Sequence, residues 1–181
     1  MRIVIDMQGA QTESRFRGIG RYSLSLAQAI ARNAQGHEIW LALNAKMPES
    51  IEPIFKAFEG LVPKERIRIF NVPTLKGVES WRNRSAEIIR ESFIQSLVPD
   101  VLLLTSMFED HRVNAVTSVG AYNHAHKTAV ILYDLIPLIH AEKYLTDAGL
   151  RTYYDRKLMW MKSADLLLSI SESSRQEGIE H

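Results

Sequence analysis

Short apolar runs rich in branched residues alternate along this chain with longer segments of helical period, and that alternation limits the fold more than any other feature of the sequence. Strands separated by helices lie parallel to one another and are covered on both faces. The runs fall near residues 2–6, 38–43, 66–70, 101–105, 128–133 and 166–170. They predict an α/β fold with a doubly wound, mostly parallel, Rossmann-like sheet, whose ligands collect outside the carboxyl ends of the strands. A chain of 181 residues has room for one such domain, so residues 1–181 are read as a single domain.

Between the strands, helices are expected over residues 18–33, 48–58, 79–97 and 146–163. The first should bury Tyr22, Leu26, Ala29 and Ile30, and end at Gln35-Gly36. The second has Pro48 near its start and Gly60 as its stop. The third repeats Ala86, Ile89, Phe93 and Leu97 at helical spacing, and the fourth Leu150, Tyr154, Leu158 and Met161. SESSRQE near the C-terminus resembles a helix start capped by Ser171 or Ser173, after which the sequence soon stops, so the chain reads as truncated.

Charge narrows the partners. The 22 basic and 21 acidic residues nearly cancel, and no run of like charge forms a nucleic-acid arm, so nucleic acid is not an expected partner. With no cysteine, thiolate metal sites, disulfides and cysteine nucleophiles are excluded. The N-terminus lacks a secretory core, and no apolar run approaches the roughly 18 residues that span a bilayer, so a cytoplasmic location is expected.

Chemistry is expected first in the loop after the first strand. Residues 6–17 form a longer and more polar connection than a usual βα turn, and it closes in RGIGRY at the start of a helix. Gly18 and Gly20 would let a ligand approach the backbone, and helix-start amides attract anions. Arg15, Arg17 and Arg21 add charge that can grip a phosphate. The same pattern also suits a tight turn flanked by solvated arginines, and spacing alone does not choose between these. It departs from the dinucleotide fingerprint, because Ser23 stands where the third glycine belongs and the loop is long. A nicotinamide-dependent oxidoreductase is therefore disfavoured.

Three segments resemble the family 4 retaining glycosyltransferases of GT-B type: VIDMQGAQTESRFRGIGRYSLSLAQAIAR, TAVILYDLIPLIHAEKYL and ADLLLSISESSRQE. They occur in the family's order and together span nearly the whole chain. The resemblance implies the N-terminal, acceptor-side half of a two-domain GT-B enzyme, with the nucleotide-binding C-terminal domain missing. The full-length enzyme would transfer a sugar, mannose being one candidate, from a nucleotide-sugar donor to a saccharide or lipid-linked acceptor in polysaccharide biosynthesis. No cofactor or metal is expected, the half alone should be inactive, and peripheral contact with the inner face of a membrane is conceivable. Gly18 and Gly20 match the family's glycine-rich loop near the donor diphosphate or an acceptor phosphate. Tyr133 stands where many relatives carry a histidine that reaches the reacting sugar, while Asp134 is retained. Both are assigned to substrate positioning, and the alternative is strand-end packing for Tyr133 and turn capping for Asp134.

Other polar residues have plainer alternatives. Glu109 or His111, after the fourth strand, is placed to bind acceptor hydroxyls, unless solvation or capping explains them. His124 and His126 lie toward the other end of the sheet, and their spacing without further ligands does not make a metal pair. Trp81, Arg82 and Arg84 are read as helix packing, with a membrane-facing patch as the alternative. Met159, Trp160 and Met161 are read as core or an interdomain contact. The competing functional class is a stand-alone Rossmann-like module that binds a phosphorylated small molecule without catalysis.

Overall fold

A computed structural model describes residues 1–75, 81–109, 114–122 and 125–181. Among these described residues six strands, β1 (Arg2–Asp6), β2 (Glu38–Asn44), β3 (Ile67–Phe70), β4 (Val101–Leu104), β5 (Lys127–Leu132) and β6 (Leu166–Ser169), form one sheet in the order β3-β2-β1-β4-β5-β6. Every pairing is parallel. The helices are α1 (Gly18–Arg32), α2 (Ile51–Ala57), α3 (Trp81–Ser96), α4 (Ile136–Ile139), α5 (Ala141–Tyr144), α6 (Ala148–Lys162) and α7 (Glu172–Glu180). The doubly wound α/β architecture expected from the alternation is the one observed.

Strand order and handedness determine which face each helix covers. Connections from β1 to β2 to β3 run one way across the sheet, and those from β3 to β4 and from β5 to β6 run the other. Right-handed crossovers therefore put α1 and α2 on one face and α3 and α6 on the opposite one. The strand residues sort accordingly. Ile5, Leu41, Leu43, Leu103 and Ile131 pack with Ala27 of α1 and Ile54 of α2. Val4, Ala42, Leu102, Leu104 and Val130 pack with Ala86 and Ile94 of α3 and with Trp160 and Met161 of α6. Gly36 and Gly60, at φ +87° and +73°, end the first two helical segments in the left-handed region that favours glycine. Ser171 caps α7 by accepting from the Ser174 amide, as one of the two expected caps.

Several expectations need correction. The residues of α1 turned fully inward are Gly20, Ser23 and Ala27, while Tyr22 and Ala29 are exposed, so the buried stripe is rotated from the one expected. The hydroxyl of Ser23 accounts for this, since it reaches the Thr105 carbonyl at 3.4 Å and the Tyr133 hydroxyl at 3.1 Å. On α3, Ile89 is 41% exposed, and the helix instead buries Glu87, Arg90 and Glu91. Trp81 is 71% exposed with the Arg82 guanidinium over its ring, so it does not pack into the fold. Met159 is exposed, whereas Trp160 and Met161 are core. Residues 48–58 split into a 3-10 turn, Pro48–Ser50, followed by α2. The expected start of α3 at residues 79–80 lies outside the described residues.

The charges on α3 belong to a buried network that hydrophobic periodicity does not reveal. Arg90 Nε donates to Asp6 Oδ2 at 2.7 Å, and its Nη1 donates to the Ser118 carbonyl at 3.1 Å. Glu91 accepts from Ser118 Oγ at 2.5 Å and from the Tyr122 amide at 2.6 Å. Glu87 pairs with Arg156 at 2.5 Å, and burial raises its carboxyl above the usual range. From α6, Lys157 Nζ donates to the Thr117 carbonyl and hydroxyl at 2.5 and 2.8 Å.

Lys157 is held in so dry a place that its ammonium titrates at about 7, with desolvation as the main cause. The folded value lies below the ordinary lysine value of 10.5, so between the two the unfolded chain carries a proton that the folded chain has released. Stability should therefore rise with pH from about 7 toward 10. Above 10 the effect is opposed by Tyr133, whose hydroxyl burial pushes up to about 12. Urea melts across this range should show the rise, and Lys157→Met should flatten it. An equal rise in the variant would exclude Lys157 as its source.

Candidate functional site

The sheet changes direction between β1 and β4, and the loops leaving these two strands diverge there, the place where open α/β sheets bind ligands. A cavity of about 730 Å³ lies at that end of the sheet. Thr12, Glu13 and Ser14 form one wall, joined by Arg17 and Ile19 where α1 begins. Phe108 and Glu109 after β4 form its floor. Pro137, Tyr144, Leu145, Leu150, Tyr153 and Tyr154, from α4 to α6, close the other side. A smaller chamber of about 200 Å³ adjoins it, sharing Ile19, Phe108, Pro137 and Tyr154 and adding Tyr133 and Asp134.

The first loop, long and polar, is packed into the protein over its first half. Gln8 and Gln11 are fully buried. Gln8 exchanges two hydrogen bonds with the backbone of Val116, 2.7 Å to its carbonyl and 2.8 Å from its amide. Gln11 accepts from the Asn44 amide at 2.7 Å and donates to Ser50 Oγ at 2.9 Å. Two 3-10 turns, Gln8–Ala10 and Glu13–Phe16, complete the loop. Only its second half reaches the cavity.

The two glycines of RGIGRY serve different ends. A Cβ on Gly18 would meet nothing within 4 Å, so this position is open to a ligand. One on Gly20 would run into the backbone of Ser14 and Arg15, so Gly20 is needed for the 3-10 turn to pack on α1. Arg17 at the head of α1 supplies no side-chain cap, and first-turn amides have no helical acceptors of their own. Arg17 lines the cavity, whereas Arg21 is exposed on the helix outside its wall. Arg15 donates to the Gln11 carbonyl at 2.9 Å and lies over the Phe16 ring.

Tyr133 is tied into the protein. Its hydroxyl lies 3.1 Å from Ser23 Oγ, 3.2 Å from the Ile19 carbonyl and 3.1 Å from the Thr105 carbonyl. Tyr22 packs edge-on against the ring at 5.7 Å. The tyrosine thus joins the start of α1 to the ends of β4 and β5, and its one hydroxyl proton has protein acceptors. Asp134 is exposed, and its Oδ1 accepts from the Ile136 amide at 3.1 Å, a turn-capping contact.

Glu109 lies on the cavity floor at 3% exposure. Its Oε2 accepts from Thr12 Oγ1 and, at 3.0 Å, from Ser14 Oγ. Tyr153 donates to its carbonyl at 2.5 Å. Beside it, Phe108 and Tyr154 stack at 4.6 Å. Of these partners, sequence reasoning did not single out Thr12, Ser14, Tyr144 or Tyr153. The hydroxyl spacing Thr12-x-Ser14 and the pair Tyr153-Tyr154 were the available signals. His111 and His124 lie outside the described residues. His126 is buried with Nδ1 3.2 Å from Gln95 Oε1 on α3, away from the cavity.

No helix among the described residues is long and apolar enough to cross a membrane. No protein-family model matches the chain. Three curated relatives from Escherichia coli do, each named serotype-specific mannosyltransferase WbdA. One is 36% identical over 186 aligned positions covering 100% of this chain and 22% of the relative. The others are 33% and 32% identical over 161 positions, 86% of this chain and 20% of each relative. The chain thus spans about a fifth of the length of the relatives it matches. Over its whole length it is similar to about a fifth of a serotype-specific mannosyltransferase.

Proposed function

We propose that the chain is the N-terminal, acceptor-side domain of a retaining GT-B mannosyltransferase that acts in polysaccharide assembly. The full protein moves mannose from a nucleotide-sugar donor to a saccharide acceptor. The observation that carries this reading is the 36% identity across the whole chain to a mannosyltransferase, with all six strands and the cavity inside the aligned stretch. The cavity supports it through its two unlike edges. The open start of α1 with Arg17 suits the anionic diphosphate, where amides and a guanidinium stabilise charge on the leaving group. The aromatic and carboxylate wall suits a neutral sugar. The opposite wall of the cleft, and the donor's nucleotide contacts, belong to a second domain.

The test uses the full-length protein with nucleotide-linked mannose and a mannoside acceptor, with product detected as a one-hexose mass increment. A protein that transfers no sugar from any nucleotide donor would remove the reading. In the active protein, Gly18→Val should raise the donor KM about tenfold or more, because its side chain would project toward the arriving anion without meeting the protein. An unchanged donor KM would place the diphosphate elsewhere.

A further inference from the structure

We propose that Glu109 is the specificity residue for the acceptor, and that its free carboxylate oxygen accepts a hydrogen bond from one hydroxyl of a neutral, unphosphorylated sugar residue. The proposal rests on the glycosyltransferase reading above and adds to it the identity of the group that reads the acceptor.

The polarity of the site selects the ligand. Glu109 is 97% shielded from solvent, yet its Oε1 has no partner among the described residues. The hydroxyls around it are already directed at the same residue, Thr12 and Ser14 to Oε2 and Tyr153 to the main-chain carbonyl. What Glu109 itself offers a ligand is therefore an acceptor. A carboxylate accepts and does not donate, so whatever meets it must bring an O–H or N–H. A buried acceptor left unmatched is costly, which makes the missing donor a strong discriminator.

The surroundings narrow the ligand further. The stacked Phe108 and Tyr154, with Tyr144, Leu145 and Leu150, line the cavity with apolar surface suited to the C–H face of a pyranose. Glu13 adds a second carboxylate on the same wall as Thr12 and Ser14. A phosphate or uronate placed against Glu109 would meet like charge, whereas the neutral ring of a saccharide would not. The anion-favouring part of the cavity is at Arg17, at the head of α1. The same cavity thus carries a cationic group suited to the charged part of the reaction and an acceptor suited to the neutral part.

The experiment compares the full-length protein with its Glu109→Gln variant on mannoside acceptors, each lacking one hydroxyl. Glutamine keeps the length and an oxygen for Thr12 and Ser14 while turning an N–H donor toward the ligand. Wild type should lose about tenfold or more in kcat/KM for one deoxy position. The variant should lose a similar factor on the parent acceptor, become indifferent to that position, and keep its donor KM. If Glu109→Gln melts early, Glu109→Asp, which withdraws the charge by one methylene, takes its place with the same expected loss of discrimination. A variant that discriminates among the deoxy acceptors as wild type does, or a wild type that prefers a phosphorylated acceptor at that position, overturns the proposal and leaves the transferase reading standing. A wild type that transfers to no acceptor removes both.

Discussion

Arg90→Ala is expected to destabilise the fold by about 3–5 kcal/mol, the cost of removing one partner from a buried ion pair. Arg90 is 0% exposed and Asp6 is 2% exposed, with the guanidinium Nη2 2.5 Å from Oδ2. Asp6 also accepts from the amide and the side chain of Gln8, each at 3.0 Å, so its carboxylate organises the exit of β1 into the first loop. Alanine would leave a buried charge without a counter-ion and the Ser118 carbonyl without its donor. Against a total of about 5–15 kcal/mol for a typical domain, such a loss is a large share. Urea titration would measure it. A double change to Asp6→Leu with Arg90→Met should recover much of the loss, because it removes both charges. A single variant within about 1 kcal/mol of wild type would contradict the role of the pair.

The second large effect is expected at Gly20. A valine there would put its Cβ into the backbone of Ser14 and Arg15, which cannot yield as a side-chain tip would. Overpacking costs about 1–3 kcal/mol and occasionally more, and a clash with backbone belongs at the upper end of that range. The turn Glu13–Phe16 would lift from α1, carrying Thr12 and Ser14 away from Glu109 and opening the cavity wall. Gly18→Ala, two residues earlier, should leave the melting temperature unchanged or slightly raised, since alanine is the better helix former and its Cβ meets nothing. Thermal melts and protease sensitivity near residues 13–16 would distinguish the pair. Equal stability of Gly20→Val and Gly18→Ala would refute the packing role.

Strand positions were legible because branched apolar runs in a parallel sheet are continuous and short, as VLLL and TAVIL are. Each observed strand begins and ends within one residue of its expected limits. Which face of a helix is buried was less legible, because buried polar contacts override hydrophobic spacing. Ser23 turns inward on α1 for the sake of two oxygens, and α3 buries Glu87, Arg90 and Glu91 while leaving Ile88 and Ile89 to solvent. Charged residues inside a fold identify themselves only when their partners are known, and Asp6 lies 84 residues from Arg90.

The candidate site divides in the same way. RGIGRY announced the mouth of a cavity by local pattern, yet the different duties of Gly18 and Gly20 depend on a turn packed against them. Glu109 could be placed on the correct rim from its position after β4, but its saturation by Thr12 and Ser14 on one oxygen alone could not be foreseen. Tyr133 was noted only through the family resemblance, as the residue at a histidine position, and its hydroxyl is engaged by protein on three sides.

The pairing of Gln8 with Val116 has a kinetic consequence. A side chain here completes backbone hydrogen bonds between loops 108 residues apart in sequence, and Thr12 meets Glu109 across 97. Contacts of such span form only after the intervening chain has been ordered, because loop closure must precede their gain. β1 and β4 must lie side by side before either contact can exist. The cavity, whose lining needs both loops, is therefore not formed in a chain that has not yet paired β4 with β1.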